Sequence, residues 1–239
     1  LRRLVGSEMC IRDRNTIIQD DGEFYVEGDP RPYRGWKEDG HGKVDLEKAI
    51  VESSDVYFYS TAYDLTIKKL EPFLKKFGFG GKTNIDAEES NGLVPNEKWK
   101  LGYIGEFWFK GDSINLGIGQ GYMLSTPIQI SQSIAVIANR GEIIKPRLVE
   151  EIDESPTELK SLGKINLKDE TNWEKIEKSM IEVINSPNGT ANNIKDSRYV
   201  IAGKTGTAQI KSYEDQEYED IRENPFFRDH ALFVGYAPI

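Results

Sequence analysis

Two apolar, strand-like segments, "RYVIAGKTGTAQIK" at 198–211 and "HALFVGYAPI" at 230–239, close a chain whose earlier part reads mainly as helix. This order constrains the fold more than any other feature. Parallel strands need a crossover, usually a helix, between each pair, and the sequence shows no regular alternation of strand and helix. Two strands joined by one link most simply pair antiparallel, which makes the class α+β rather than doubly wound. The link at 212–228 carries six acidic residues and two arginines, the composition of a mobile, solvated loop.

The helical part has clear start and stop signals. Asp45 suits a cap for "LEKAIVES", where Leu46, Ala49 and Ile50 share a face. In "KKLEPFLKKFGFG", Leu70, Phe73, Leu74 and Phe77 recur at helical spacing and Gly78 is a stop. Thr126 followed by Pro127 and Gln129 predicts a capping box, with Ile130, Ile134, Ile137 and Ala138 on the apolar face and Gly141 as the end. Trp173, Ile176, Met180, Val183 and Ile184 predict an amphipathic helix over 169–185, broken by "SPNG". Residues 15–43 read as loop with short extended pieces, 80–121 as irregular, and "GEIIKPRLVEEI" as extended, its proline favouring an edge.

Composition sets bounds on partners. With 239 residues the chain can bury a sizeable core. A net charge of −9 argues against nucleic acid, which calls for a basic surface. No apolar run reaches the roughly 18–20 residues of a membrane-spanning helix. The single cysteine, Cys10, permits no internal disulfide, and two histidines make a multi-histidine metal site unexpected. His41 has Asp20, Asp21 and Asp39 nearby in sequence, but a hydrogen-bonded loop histidine explains it as simply, so no metal or other cofactor is expected. The basic opening "LRRLVGSEMCIRDR", residues 1–14, has no recognisable period and is expected to be translated sequencing adapter, which would place Cys10 outside the protein.

"GKTGTAQ" at 203–209 is the segment richest in chemistry. On a strand, Lys204 offers positive charge to a carboxylate, and Thr205 and Thr207 offer hydroxyl donors. Gly206 lets a substrate backbone lie against the strand edge, and the Thr207 N–H can point at a developing oxyanion. A nucleotide P-loop, which also ends in Gly-Lys-Thr, is excluded, because its first glycine would have to stand where Arg198 does. A second element, "ESSDVYFY", places Ser53 and Asp55 one residue apart between two helical stretches. Ser53 there suits a proton relay; equally, Ser53 or Ser54 suits a helix cap, with Asp55 favouring the helix dipole.

Lys-Thr-Gly is shared with serine enzymes that recognise β-lactams. Taken in order, "PYRGWKEDGHGKVDLEKAIVESSDVYFYSTAYDL", "NLGIGQGYMLSTPIQIS", "SPNGTA", "GKTGTAQ" and "RDHALFVGYAP" resemble the penicillin-binding proteins of the transpeptidase class, nearest to their rod-elongation group, penicillin-binding protein 2. The resemblance covers roughly 15–239. It implies a penicillin-binding transpeptidase or serine β-lactamase-like fold, with an antiparallel sheet, helices and a helical lobe. It also implies a D,D-transpeptidase cross-linking peptidoglycan stem peptides, inhibited by β-lactams, at the periplasmic face of the inner membrane beside elongation-machinery proteins. By residue, it implies a proton relay at Ser53 and, at Asp55, a hold on the nucleophile's lysine or on the substrate amide. Lys204 would complete the proton and electrostatic network, Thr205 and Thr207 would bind the terminal carboxylate, and Gly206 would belong to the substrate edge. The glycines of "GIGQGYM" read as structural.

The family's nucleophile, a Ser-x-x-Lys upstream of Ser53, is missing: Ser7 is followed by Glu-Met-Cys, and the one formal match, Ser161-Leu-Gly-Lys164, lies downstream in a polar stretch. The expectation is a partial domain, without its first catalytic helix and its last strand and helix, and inactive as written. The rival readings are a related D-Ala carboxypeptidase or β-lactamase, and a non-catalytic domain that binds stem peptides or a partner.

Overall fold

A computed structural model describes residues 16–196, 198–209 and 228–239. The expectations for residues 1–14 and for the acidic link at 212–227 lie outside the described residues.

The chain begins with short paired strands, as the loop-with-extended-pieces reading implies. β1 (Ile18–Asp20) pairs antiparallel with β4 (Gly42–Val44), and between them β2 (Glu23–Phe24) pairs with β3 (Tyr33–Arg34). α1 (Leu46–Val51) follows, capped by Asp45, whose carboxylate accepts the Lys48 N–H at 2.8 Å. A tight turn leads into α2 (Asp55–Lys76), which is broken at Thr66, where φ is 59° and ψ 167°. Leu70, Phe73, Leu74 and Phe77 are buried, the face that the periodicity predicts, and Leu65 before the break is buried too.

Residues 80–121 are more ordered than their composition indicates, which corrects the irregular reading. A helical turn at Glu97–Trp99 runs on into a π turn at Lys100–Ile104, and α3 (Lys110–Gly117) packs along α2. Asp112 accepts the Phe109 N–H at 2.7 Å and caps α3 from within. Gly117 marks the helix contact: a Cβ there would stand 2.3 Å from Ala62 Cβ and 3.0 Å from the Phe58 carbonyl oxygen. Of the aromatic run, Trp108 packs against the core while Phe107 and Phe109 are exposed.

α4 (Pro127–Ala138) has the predicted capping box, Thr126 with Gln129. Its buried face differs from the one expected: Gln129, Gln132, Ser133, Val136 and Ile137 are buried, with Ile130 and Ile134 partly so. The reason is polar. Gln129 Nε2 donates to the Gly81 and Asn91 carbonyls at 2.7 and 2.8 Å, so a buried amide satisfies a loop that has no ladder of its own. The extended stretch after Gly141 divides into β5 (Glu142–Ile144) and β6 (Glu151–Ile152), with Pro146 between them; β6 pairs with β7 (Ser155–Pro156) and β5 with β8 (Ser161–Lys164).

α5 (Thr171–Asn185) buries Trp173, Ile176, Met180, Val183 and Ile184 as its period predicts. β9 (Ala202–Ala208) and β10 (His230–Tyr236) pair antiparallel, with Lys204 opposite Val234 and Thr207 opposite Ala231. α5 lies against β9 and α4 against β10, and the main core fills the space among α1, α2, α4, α5 and this ribbon. The α+β class holds. Among the described residues, all strands pair as two-stranded antiparallel ribbons.

Candidate active site

The site forms where the turn between α1 and α2 meets the edge of β9. Ser54 caps α2: its Oγ accepts the Tyr57 N–H at 3.2 Å. Asp55 stands in the first turn, so the cap reading holds for Ser54 and Asp55. Ser53, released from the helix, has a φ of 60°, uncommon for a residue with a Cβ. That turn carries its hydroxyl to Lys204, whose Nζ donates to Ser53 Oγ at 2.9 Å across 151 positions of sequence.

What holds the turn is a buried polar cluster. Asp20 accepts from Ser54 Oγ at 2.5 Å, from the Gly22 N–H at 3.0 Å and from His41 Nδ1 at 2.8 Å. Burial pushes the Asp20 carboxyl up, but these donors outweigh it and hold the group below the usual carboxylate range. His41 is a hydrogen-bonded loop residue, as expected, but a buried one whose ring is bonded to the Asp20 carboxylate. Among the described residues, no group of three or more His, Cys, Asp or Glu side chains is placed to hold a metal. Trp36 clamps the turn from outside: its indole N–H donates to the Ser53 carbonyl at 3.0 Å and its backbone N–H to Asp55 Oδ2 at 3.1 Å.

On the strand side, Lys204 Nζ also donates to the Thr205 carbonyl at 3.0 Å and to Thr205 Oγ1 at 3.2 Å. Thr205 Oγ1 lies 2.7 Å from Thr190 Oγ1, and the Thr190 N–H donates to the Val51 carbonyl at 3.3 Å. Gln120 Nε2 donates to the Thr207 carbonyl at 3.1 Å. In an extended strand the N–H and C=O of one residue point to the same side, so the Thr207 N–H also faces away from β10. Gly206 is exposed, and a Cβ there would meet only Leu232 Cβ, at 3.8 Å.

Ser53, Lys204 and Thr205 are thus in direct contact. Gly206 and Thr207 continue the same strand edge, while Asp55 is turned to the Trp36 backbone. Ser161 is elsewhere, on the exposed strand β8 with its hydroxyl bonded to Glu142. Asp20, Trp36, Gln120 and Thr190 were not anticipated as site residues. Three of them lie within the stretches that carry the family resemblance, and that is the one signal that marks them.

A strand-edge lysine bonded to a serine at a helix start, flanked by hydroxyls and an open glycine, brings together the two motifs that carry the resemblance to the penicillin-binding transpeptidases. The penicillin binding protein transpeptidase domain matches residues 9–239, and the chain belongs to that family. Within it, the chain is similar to the peptidoglycan D,D-transpeptidase MrdA of Acinetobacter baumannii, with 40% identity over 98% of this chain and 35% of that protein. It is also similar to the crystal structure of Pseudomonas aeruginosa PBP2 in complex with WCK 5153, with TM-score 0.87 and 38% identity over 99% of this chain and 51% of that one. The Helicobacter pylori PBP2 solved in complex with MreC gives TM-score 0.84 and 33% identity over 99% of this chain and 41% of that one. The fold is the penicillin-binding transpeptidase fold. The chain spans about a third of the length of the curated relatives it matches.

Proposed function

We propose that this chain is part of a peptidoglycan D,D-transpeptidase of cell-wall elongation, and a target of penicillin. The observation that carries the reading is the 2.9 Å contact between Lys204 Nζ and Ser53 Oγ, which joins two motifs 151 residues apart. In the reaction, a serine Oγ attacks the penultimate D-Ala carbonyl of a stem peptide. The peptide bond breaks, the serine proton passes to the leaving amine, and terminal D-Ala departs. An amine of a neighbouring stem then takes the acyl group, and the serine recovers its proton.

Each residue has a part in this. Ser53, within reach of the Lys204 ammonium, relays the proton. Lys204 and the hydroxyls of Thr205 and Thr207 receive the terminal carboxylate, and the Thr207 N–H receives the oxyanion. Open space at Gly206 lets the substrate backbone lie along β9. Asp55 holds the nucleophile's lysine or the substrate amide. Residues 1–239 contain no Ser-x-x-Lys upstream of Ser53, so the nucleophile is assigned to sequence outside this stretch, and these residues alone are inactive. No helix of the described residues is long and apolar enough to cross a membrane. Family membership supports a place at the periplasmic face of the inner membrane, and the Helicobacter pylori relative solved with MreC supports elongation-machinery partners.

Intact-mass measurement after incubation with a β-lactam tests the reading, on this chain and on one extended upstream in its gene. An adduct on the extended chain alone is expected. An adduct on residues 1–239 would move the nucleophile to a serine within them and overturn the assignment.

A further inference from the structure

The Thr190 hydroxyl lies beside that of Thr205, and nothing in the motif assigns it a role. It belongs to a closed circuit. Thr190 is tied through its N–H to Val51, two residues before Ser53; Ser53 bonds Lys204, Lys204 bonds Thr205, and Thr205 Oγ1 returns to Thr190 Oγ1 at 2.7 Å. The turn that presents Thr190 is itself fixed. A Cβ on Gly189 would stand 2.2 Å from the Val183 carbonyl oxygen, so "SPNGT" is packed against the last turn of α5.

The direction of the Thr190–Thr205 bond is what matters. A hydroxyl has one proton and two lone pairs, whereas an ammonium only donates and a carboxylate only accepts. Thr205 Oγ1 must therefore accept from Lys204. If it also gives its proton to Thr190, it presents only a lone pair to an arriving carboxylate. If Thr190 donates instead, both lone pairs of Thr205 are filled and its single proton is left for the ligand.

We infer that Thr190 is a positioning residue for carboxylate recognition, donating its proton to Thr205 so that the Thr205 hydroxyl donates to the C-terminal carboxylate of the stem peptide. The inference rests on the transpeptidase reading above, and it places a determinant of specificity for the free acid outside the Lys-Thr-Gly motif.

The test needs binding only, so this chain serves without a nucleophile. An N-acetylated D-Ala-D-Ala peptide and its C-terminal carboxamide are titrated by NMR against the wild-type chain and against Thr190→Val, Thr190→Ser and Thr190→Cys. The wild-type chain is expected to prefer the acid. Thr190→Val, which keeps the shape and removes the donor, is expected to weaken the acid roughly tenfold and leave the amide unchanged. Thr190→Ser keeps the wild-type ratio, and Thr190→Cys, a weaker donor, falls between. Should Thr190→Val fail to fold, the serine and cysteine variants still decide.

A wild-type ratio in the valine or cysteine variant overturns the inference, as does an equal loss for acid and amide, which is the mark of a merely structural role. Equal binding of acid and amide by the wild-type chain would instead remove the carboxylate reading itself, and the inference with it. That outcome is distinct from one in which the wild type prefers the acid and only the variants fail to respond.

Discussion

The two sides of the site are held in different ways. Ser53 projects from a turn backed by groups taken wholly out of water: Asp20 and Ser54 are 2% and 0% exposed and hydrogen-bonded to each other. Lys204 projects from a ribbon of two strands, backed by α4 and α5 but with Leu232 and Phe233 half open to solvent on β10. One side is set by a polar cluster that tolerates little rearrangement; the other is set by strand pairing and by reaching contacts from Gln120, Thr190 and Ser53. The Ser53 side is therefore the rigid reference, and the Lys204 side is the one that adjusts.

The strongest way to break this contrast is Asp20→Ala, which leaves three buried donors without their acceptor. It is expected to cost about 3 kcal/mol in a denaturant titration. A cost below about 1 kcal/mol would mean that the Ser53 side is not anchored from behind. The same carboxylate gives a pH signature. Its folded pKa is held below the unfolded value of about 4, so its contribution is present above that pH and is lost as pH falls through the folded pKa. Asp20→Asn is expected to flatten the acid limb of stability against pH, measured by thermal unfolding between about pH 5 and 2.

A pair of glycines sharpens the comparison. Gly117→Ala drives a methyl into Ala62 Cβ and toward a backbone carbonyl, with an expected cost of about 2 kcal/mol. Gly203→Ala meets Phe233 Cζ at 2.4 Å, the far end of a partly exposed ring that can swing aside, and the Val234 carbonyl oxygen only at 3.2 Å. The expected cost is under about 1 kcal/mol. Equal costs in paired melts would erase the distinction between a set helical side and an adjustable ribbon. Smaller than the Gly117 effect, Thr126→Ala removes the cap of α4, which supports β10, and is expected to lower stability by about 1 kcal/mol while Ser53-side protection from hydrogen exchange stays unchanged.

Where local chemistry decides structure, the sequence was readable. Asp45, Thr126 and Gln129 cap the helices they suggest, Trp173 to Ile184 bury the expected face, and the two terminal segments pair antiparallel. Ser53 and Lys204 were legible as motifs, and their contact followed from family resemblance rather than from spacing. The rest depends on tertiary partners. α3 contains Gly111, Asn115 and Gly117, poor helix formers that are stabilised by packing on α2. Gln129 breaks the apolar stripe of α4 because loops far away in sequence need its amide. Trp36, Gln120 and Thr190 are ordinary residue types whose importance lies in which distant group they reach.

Ser53 sits at a φ of 60°, a conformation that favours glycine, yet its hydroxyl is the group that meets Lys204. Ser53→Gly therefore trades backbone strain against one hydrogen bond, and thermal midpoints are expected to move by less than about 1 kcal/mol equivalent. A library of variants sorted for heat resistance would keep glycine at this position, while the proposed proton relay predicts that the same library sorted for β-lactam acylation, in a chain extended upstream, would discard it. Ranking substitutions here by stability alone would pass over the loss that matters most.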